Sequence, residues 1–298
     1  MQLKQSGYKI LKLQRKLFRK LFKDKTAVSQ VLAAVMMIFL FISAIAVVFA
    51  WLYPTYNNFQ TSNTINSVTT YMLDIDETIF DLFSEGTGST KAVRTDPSFG
   101  RFDYEAGKNV SFIFSNTAGS YNESYTFTDL GKFSYLLENR RGVLVAVGDH
   151  TYLKGPSTQT VFFVNGSTDG LTYQGLTNLT LMRPDDKVMK MELDYRVKVY
   201  SWFDSVSNIL SISIQIIQID IKTTSFGYHS YQTLKIFYNQ SSVVYSESTN
   251  VDDDFFVFGS IAQGFNPSER AFTFIKPLAV ANYDVNIEIV SSQFLFYL

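Results

Sequence analysis

Two periods divide the chain. Apolar residues recur every three or four positions, or run unbroken, as far as Leu82; from Val110 onward they alternate with polar ones. Between Tyr8 and Lys23, Ile10, Leu13, Leu17 and Leu21 fall three or four apart with Phe18 and Phe22 beside them and bases elsewhere. That is the pattern of a basic amphipathic helix suited to an anionic membrane surface. No charge occurs from Thr26 to Leu73, and Val31 to Tyr53 is apolar but for Ser43. At ~1.5 Å per residue the run reaches about 35 Å, enough for a hydrocarbon core of roughly 30 Å, and predicts a membrane-spanning helix. It exceeds the roughly 7–15 apolar residues of a secretory signal peptide. Trp51 and Tyr53 suit a lipid–water interface, and the bases ahead of the run place the N-terminus in the cytoplasm.

Pro54 permits a kink, after which Ile65, Val68, Met72, Ile75, Ile79 and Leu82 repeat at helical spacing with Asp74, Asp76, Glu77 and Asp81 on other faces. Two readings of this stripe stay open: a stalk helix lying on its own β domain, or a seam between copies. Glycines in the run from Ser84 to Thr90 end the helix. Period two then predicts strands over residues 110–114, 124–127, 143–147, 160–164, 176–181, 188–200, 209–221, 233–238, 255–258, 270–275 and 285–290. Turn signals at residues 147–149, 164–167 and 168–171 separate several of them. The expected fold class is α+β: a transmembrane helix and a stalk helix followed by a mainly antiparallel β-sandwich ectodomain. The domains read as a basic cytoplasmic leader (1–27), the transmembrane helix (28–54), an extracellular stalk helix and linker (55–90), and the ectodomain (91–298). The last is one unit or two, with a division near Asp204 to Asn208 as the alternative.

Charge sharpens this division. The formal net charge is −1, but nine of the 26 bases and one of the 27 acids lie in the first 25 residues, leaving 17 bases against 26 acids beyond them. A basic head on an acidic body suits a membrane and excludes a nucleic-acid binder, whose bases would be spread over a folded face. With no cysteine, disulfides, thiolate catalysis and cysteine-ligated metals are excluded. There is no nucleophile elbow, phosphate loop, His-Glu-x-x-His or dinucleotide fingerprint. His150 and His229 read as surface or strand residues, and Asp252 to Asp254, like Asp185 and Asp186, as solvated turns; nothing in the spacing selects a pair such as Asp204 and Asp220 as acid and base. No catalytic, cofactor-binding or metal residue is expected, and the chain does not read as an enzyme. Five Asn-x-Ser/Thr sites, at Asn109, Asn122, Asn165, Asn178 and Asn239, are candidates for N-glycosylation of an exported surface.

The stretch from Thr26 to Val35, Thr-Ala-Val-Ser-Gln-Val-Leu-Ala-Ala-Val, between a basic leader and an apolar helix, resembles the class III signal segment of archaeal type IV pilins and pilin-like membrane proteins. The likeness is in motif from Lys25 to Pro54 and in layout beyond. It implies cleavage by a prepilin peptidase within Lys25, Thr26, Ala27 and Val28, after either Thr26 or Ala27. It also implies that mature helices pack together as a filament core, with small residues such as Ala33, Ala34, Ser43, Ala46 and Ala50 allowing close approach. The expected function is a membrane-anchored, surface-exposed structural or adhesion protein, a minor filament subunit whose partners are the membrane, the peptidase and other pilin-like subunits. The alternative is a non-assembling single-pass anchor whose ectodomain binds a surface-layer protein, glycan or other ligand.

Overall fold

The computed structural model describes residues 25–95, 100–138, 145–155, 163–165, 173–222, 232–261, 268–277 and 280–297. The amphipathic helix expected over residues 8–23, the first residues of the strands expected at Val143 and Thr160, the turn at 168–171 and His229 lie outside them.

One α-helix, α1, runs from Lys25 to Glu85 and contains Pro54. Proline lacks the amide that would reach the Ala50 carbonyl, but a single lost bond does not end a helix extended on both sides by helix-compatible residues. Next to it, the Thr55 hydroxyl donates to the Trp51 carbonyl at 3.0 Å. Helix α1 stops where Gly86 adopts φ +93°, a left-handed value open to glycine, and donates its N–H to the Leu82 carbonyl at 3.0 Å. The chain divides into two compact units between Phe59 and Gln60. The first carries α1 as far as Phe59; the second holds the remainder of α1 together with every described strand.

In the second unit, thirteen strands among the described residues form two sheets. Sheet one has six: β1 (Thr90–Thr95), β5 (Phe163–Asn165), β8 (Val197–Asp204), β9 (Ile209–Ile221), β10 (Gln232–Val251) and β13 (Tyr283–Tyr297), in the order β1-β10-β13-β9-β8-β5. Sheet two has seven: β2 (Gly100–Asn116), β3 (Asn122–Glu138), β4 (His150–Lys154), β6 (Thr177–Met182), β7 (Val188–Tyr195), β11 (Phe255–Ile261) and β12 (Ser268–Phe274), in the order β12-β11-β2-β3-β7-β6-β4. Pairing is antiparallel except for β13 with β9 and β5 with β8. The class is therefore α+β, a long apolar N-terminal helix followed by a mostly antiparallel β domain.

Side chains of both sheets meet in two cores. One gathers Phe112, Phe114, Phe255 and Val257 of sheet two with Val199, Ile212, Ile214 and Ile287 of sheet one. The other is built round the helix: Ile65, Val68, Met72, Ile75, Ile79 and Leu82 are 0–4% exposed, packed with Phe133, Tyr135, Met191 and Leu193 of sheet two and Ile219, Ile236, Phe294 and Phe296 of sheet one. Of the two readings of the stripe, the structure takes the first: the helix lies in its own β domain. Strand β9 feeds both cores by changing parity, with even positions Leu210 to Ile216 in the first and odd positions Ile217 and Ile219 in the second. Its pairing with β13 stays in register throughout, so opposite faces of the strand are buried along its length.

Three local features depart from the periodic pattern. The run expected as one strand over 188–200 breaks at Arg196, where the chain passes from β7 in sheet two to β8 in sheet one. The corner is tied to a short 3-10 turn (Tyr173–Leu176) by Arg196 N–H on the Leu176 carbonyl at 2.7 Å and Arg196 Nη1 on the Gly175 carbonyl at 3.0 Å. Val145 to Asp149 form a bend and turn rather than a strand, tightened by Gly148 at φ +85°. Residues 205–208 are the turn between β8 and β9, which pair with each other along β8 from Lys198 to Asp204, so no division of the domain falls there.

At Gly131 in β3 an added Cβ would lie 2.3 Å from the Ile219 carbonyl oxygen of β9, so the backbones of the two sheets approach there only because the side chain is missing. Tyr104 reaches the same carbonyl, its hydroxyl donating at 3.1 Å.

Because Met72 is wholly buried between the sheets, Met72→Ala is expected to destabilise the second unit by about 2–5 kcal/mol. Chemical denaturation of the detergent-solubilised full chain, followed by far-UV circular dichroism, measures the loss.

Candidate functional site

In the first unit the large apolar side chains from Val31 to Phe59 are 48–70% exposed. A continuous apolar surface of this length is foreign to a water-facing helix, and the helix is long and apolar enough to cross a membrane. A hydrocarbon environment requires that polar side chains be satisfied internally. The Ser43 hydroxyl donates to the Phe39 carbonyl at 2.8 Å, leaving the run without an orphaned side-chain donor at its middle. Lys25, Thr26, Ala27 and Val28 form the first turn of α1; their side chains are outside the described ones.

In the second unit the polar feature of greatest consequence is Asp76, which is 0% exposed although its charge led to its placement on a solvated face. It follows Met72 by four residues and precedes Ile79 by three, so helical geometry carries it to the edge of the buried stripe. Three adjacent strands meet it. Lys154, at the end of β4, places Nζ 2.5 Å from Oδ2. The Thr177 hydroxyl, at the start of β6, lies 2.8 and 3.0 Å from the two oxygens. The Tyr195 hydroxyl, at the end of β7, donates to Oδ1 at 2.9 Å. Thr177 and Tyr195 are register partners, so one β pairing presents both hydroxyls. Burial, then the Asp76 carboxylate, hold the Tyr195 phenol well above the ordinary tyrosine range, so it stays a donor.

The middle of sheet two, β2, β3 and β7, carries an ionic lattice on the face turned from the helix. Glu105 and Glu192 share Lys132 and Lys190: Lys190 stands 3.0 Å from Glu105 and 2.6 Å from Glu192, Lys132 3.6 and 3.4 Å. Lys108 pairs with Asp194. Burial pushes the Glu105 carboxyl up, but Lys190 and Lys132 outweigh it and leave it below the ordinary carboxylate range. Acids and bases alternate here so that each charge has an opposite neighbour, an arrangement that stiffens a sheet and leaves no group poised for proton transfer.

The other residues singled out by sequence fall as follows. Asp204 faces Ile209, and Asp220 lies eleven residues further along β9, about 35 Å at strand rise, so this pair does not meet. His150 is exposed, its Nε2 3.1 Å from the Tyr152 hydroxyl. Among the described residues no group of three His, Cys, Asp or Glu is placed to hold a metal ion. Asp253 and Asp254 cap backbone turns, with Asp254 Oδ1 accepting from Lys276 N–H at 2.8 Å. Asn122 is exposed at the first residue of β3, and Ser124 of its triplet is exposed as well. Asn109, Asn165, Asn178 and Asn239 are partly buried within strands. Asn178 Oδ1 accepts from the Thr180 hydroxyl of its own triplet at 3.3 Å, and Asn239 donates to Gln293 at 2.7 Å. Sequence reasoning missed Lys154, Thr177 and Tyr195 entirely. The available signal was Asp76, an acid three or four residues from stripe members on both sides.

No family model, curated protein or solved structure matches this chain.

Lys154 is about a third exposed, so without Asp76 it can turn to water, whereas Asp76 without Lys154 stays buried and short of a cation. Lys154→Met is thus expected to cost about 3–5 kcal/mol, Asp76→Asn less, and the double variant less than the sum of the two; denaturant midpoints of the three variants measure the non-additivity. A second expectation concerns alkali. Burial, with the Glu247 carboxylate adding to it, pushes Tyr245 up to about 12, and burial with Asp253 and Asp254 pushes Tyr283 up to about 12. Unfolded tyrosine titrates near ~10, so the folded chain holds more protons in the interval and stability falls as pH rises from about 10 to about 12. Tyrosinate absorbance of the native protein, compared with the protein in urea, reads the displaced midpoints.

Proposed function

We propose that the chain is a pilin-like surface protein, anchored by α1 in the cell membrane with its N-terminus cytoplasmic and its β domain, a β-sandwich, extracellular, serving as a minor structural or adhesive subunit. The observation that carries this reading is the change in character along one uninterrupted helix, apolar and exposed on all sides from Val31 to Tyr53 and buried along a single stripe from Ile65 to Leu82. An apolar half with no stripe suits lipid or the packed helices of a filament, while a striped half suits the fixed attachment of a globular head. The basic leader supports a cytoplasmic N-terminus, and side chains of two sheets meeting in shared cores support the sandwich. The exposed Asn122 supports a glycosylated exterior. Processing rests on the resemblance of residues 25–35 to a class III signal segment.

Burial of the stripe also bears on assembly. The heptad-like positions that would join copies through residues 65–82 are occupied within the β domain, so any helix packing between subunits falls to Val31 to Phe59. Coexpression with an archaeal prepilin peptidase, followed by N-terminal sequencing, tests the reading. The expected product begins at Ala27 or Val28, and an intact Met1 in the presence of active enzyme removes processing from it. Shearing the same cells then separates the two forms of the proposal: recovery in filaments marks a subunit, and retention of all the protein in membranes marks a non-assembling anchor.

A further inference from the structure

Where sheet one packs on the strand-only core, its opposite face is turned outward. Strand parity, fixed by Val197 and Val199 inside, directs Lys198, Tyr200, Trp202 and Asp204 of β8 outward. The indole of Trp202 is 51% exposed, although a tryptophan in a sheet ordinarily buries most of its area. It lies nearly parallel to the Tyr200 ring, centroids 5.6 Å apart at 25°, and the Lys198 ammonium stands 5.3 Å from the centre of that Tyr ring. Tyr200 is thereby braced from both sides, and Trp202 ends the stack half open to solvent. The strand end is firm as well: Asp204 Oδ1 accepts from Val206 N–H at 2.9 Å and Oδ2 from the Ser207 hydroxyl at 2.5 Å, and those bonds hold its carboxyl below the ordinary range.

Across the neighbouring strands the register continues as rows of small polar groups. Trp202 pairs with Ser211, Ser211 with Asn286 and Asn286 with Ser248; one row on, Tyr200 leads to Ser213, Glu288 and Ser246. Asn286, Glu288, Ser246 and Ser248 are exposed. The groups beside the ring are amides, hydroxyls and a carboxylate, and Lys198 is engaged over Tyr200.

We propose that this face is a glycan-binding platform that takes a neutral oligosaccharide, one sugar ring stacked on the Trp202 indole and the hydroxyls of the rings that follow it bonded to Asn286, Ser248 and Glu288, which lie two and three strands away. Charge decides the occupant. Among the described residues of this face the acids Asp204 and Glu288 stand beside Lys198, which is engaged over Tyr200; such a surface repels nucleic acid and anionic lipid, and a long apolar peptide would leave Glu288 unpaired beneath it, whereas Asn286 already accepts from the Ser248 hydroxyl at 2.7 Å. An oligosaccharide matches both halves: the C–H face of one ring carries slight positive charge toward the negative face of the indole, and the hydroxyls of its neighbours donate to and accept from the polar rows. Uncharged ligand and acidic surface also avoid the desolvation cost of an ion pair. The proposal deepens the adhesion reading and rests on it, but its test concerns the β domain's own ligand and is independent of processing and filament formation.

The chain has two tryptophans, Trp51 and Trp202, so Trp51→Phe leaves Trp202 as the one indole reporter. Maltohexaose, cellohexaose and chitohexaose are titrated into that full-length variant in a detergent without sugar headgroups. At least one is expected to blue-shift Trp202 emission and shield it from acrylamide. By calorimetry in the Trp51→Phe background, Trp202→Ala is expected to weaken that binding roughly tenfold or more, and Trp202→Phe to retain part of it. Circular dichroism confirms the fold of each variant. An unchanged emission with all three sugars up to about 10 mM overturns the proposal, as does binding that survives Trp202→Ala. So does a dimer that becomes a monomer on Trp202→Ala in sedimentation, which would assign the face to a second copy of the chain.

Discussion

The fold depends on the burial of one helical stripe. Ile65, Val68, Met72, Ile75, Ile79 and Leu82 occupy the space that Phe133, Tyr135, Met191, Phe294 and Phe296 would otherwise line around a void. Interiors are packed as densely as organic crystals, so two sheets bearing such large side chains cannot close over an absent helix without losing contacts along its whole length. The other core, made of strands alone, closes by itself where Phe112, Phe114 and Phe255 meet Ile212 and Ile287. The β domain is consequently incomplete without residues 65–82, and the boundary between the chain's two compact units falls inside α1 rather than at a linker.

A stripe alone does not fix the helix along its axis. Ile, Val, Met and Leu repeat at spacings of three and four, and a slide by one turn would bring one aliphatic side chain into the place of another at modest cost. Asp76 removes that freedom. Its carboxylate accepts from Lys154, Thr177 and Tyr195, which three neighbouring strands hold in place, and a one-turn slide would strand the charge among apolar groups. Apolar area supplies the attachment, and the helix's buried carboxylate selects its register. The ionic lattice of Glu105, Lys132, Lys190 and Glu192 lies on the outer face of sheet two and bridges β2, β3 and β7, the last of which also carries Tyr195.

Much of this was legible in the sequence wherever a period was long and simple. The apolar helix, the stripe and the strands at 110–114, 209–221 and 285–290 follow from spacing alone. The failures have physical causes. Arg196 lies inside an unbroken alternation, and since odd positions stay inward on both sides of it, the passage between sheets leaves no mark on the pattern. The second half of β10 reads as polar because Ser246, Ser248 and Asn250 occupy its outward positions, and two bulges against β13 interrupt the alternation. Strand β4 is short and lies at a sheet edge, with only Tyr152 and Lys154 partly buried. Asp76 was misplaced because a lone acid beside a stripe is ordinarily solvated, and its three partners are 78, 101 and 119 residues away. The pair Tyr200 and Trp202 was visible as residues but not as a surface, since which parity faces out is decided by the packing of Val197 and Val199.

Continuity through Pro54 joins these observations. A helix with a polar face on every turn would reveal its break at proline by exposing a carbonyl to water, whereas here the residues before it are apolar all round and those after it carry one stripe. The two halves are matched to different surroundings, and only the second specifies a rotational setting, through its stripe and Asp76. The first half presents a similar apolar surface in every direction, so whatever surrounds it need satisfy only length and hydrophobicity. An element of that kind can exchange neighbours while the β domain at its other end keeps one fixed structure, which is the division of labour that an anchored or assembling surface protein requires.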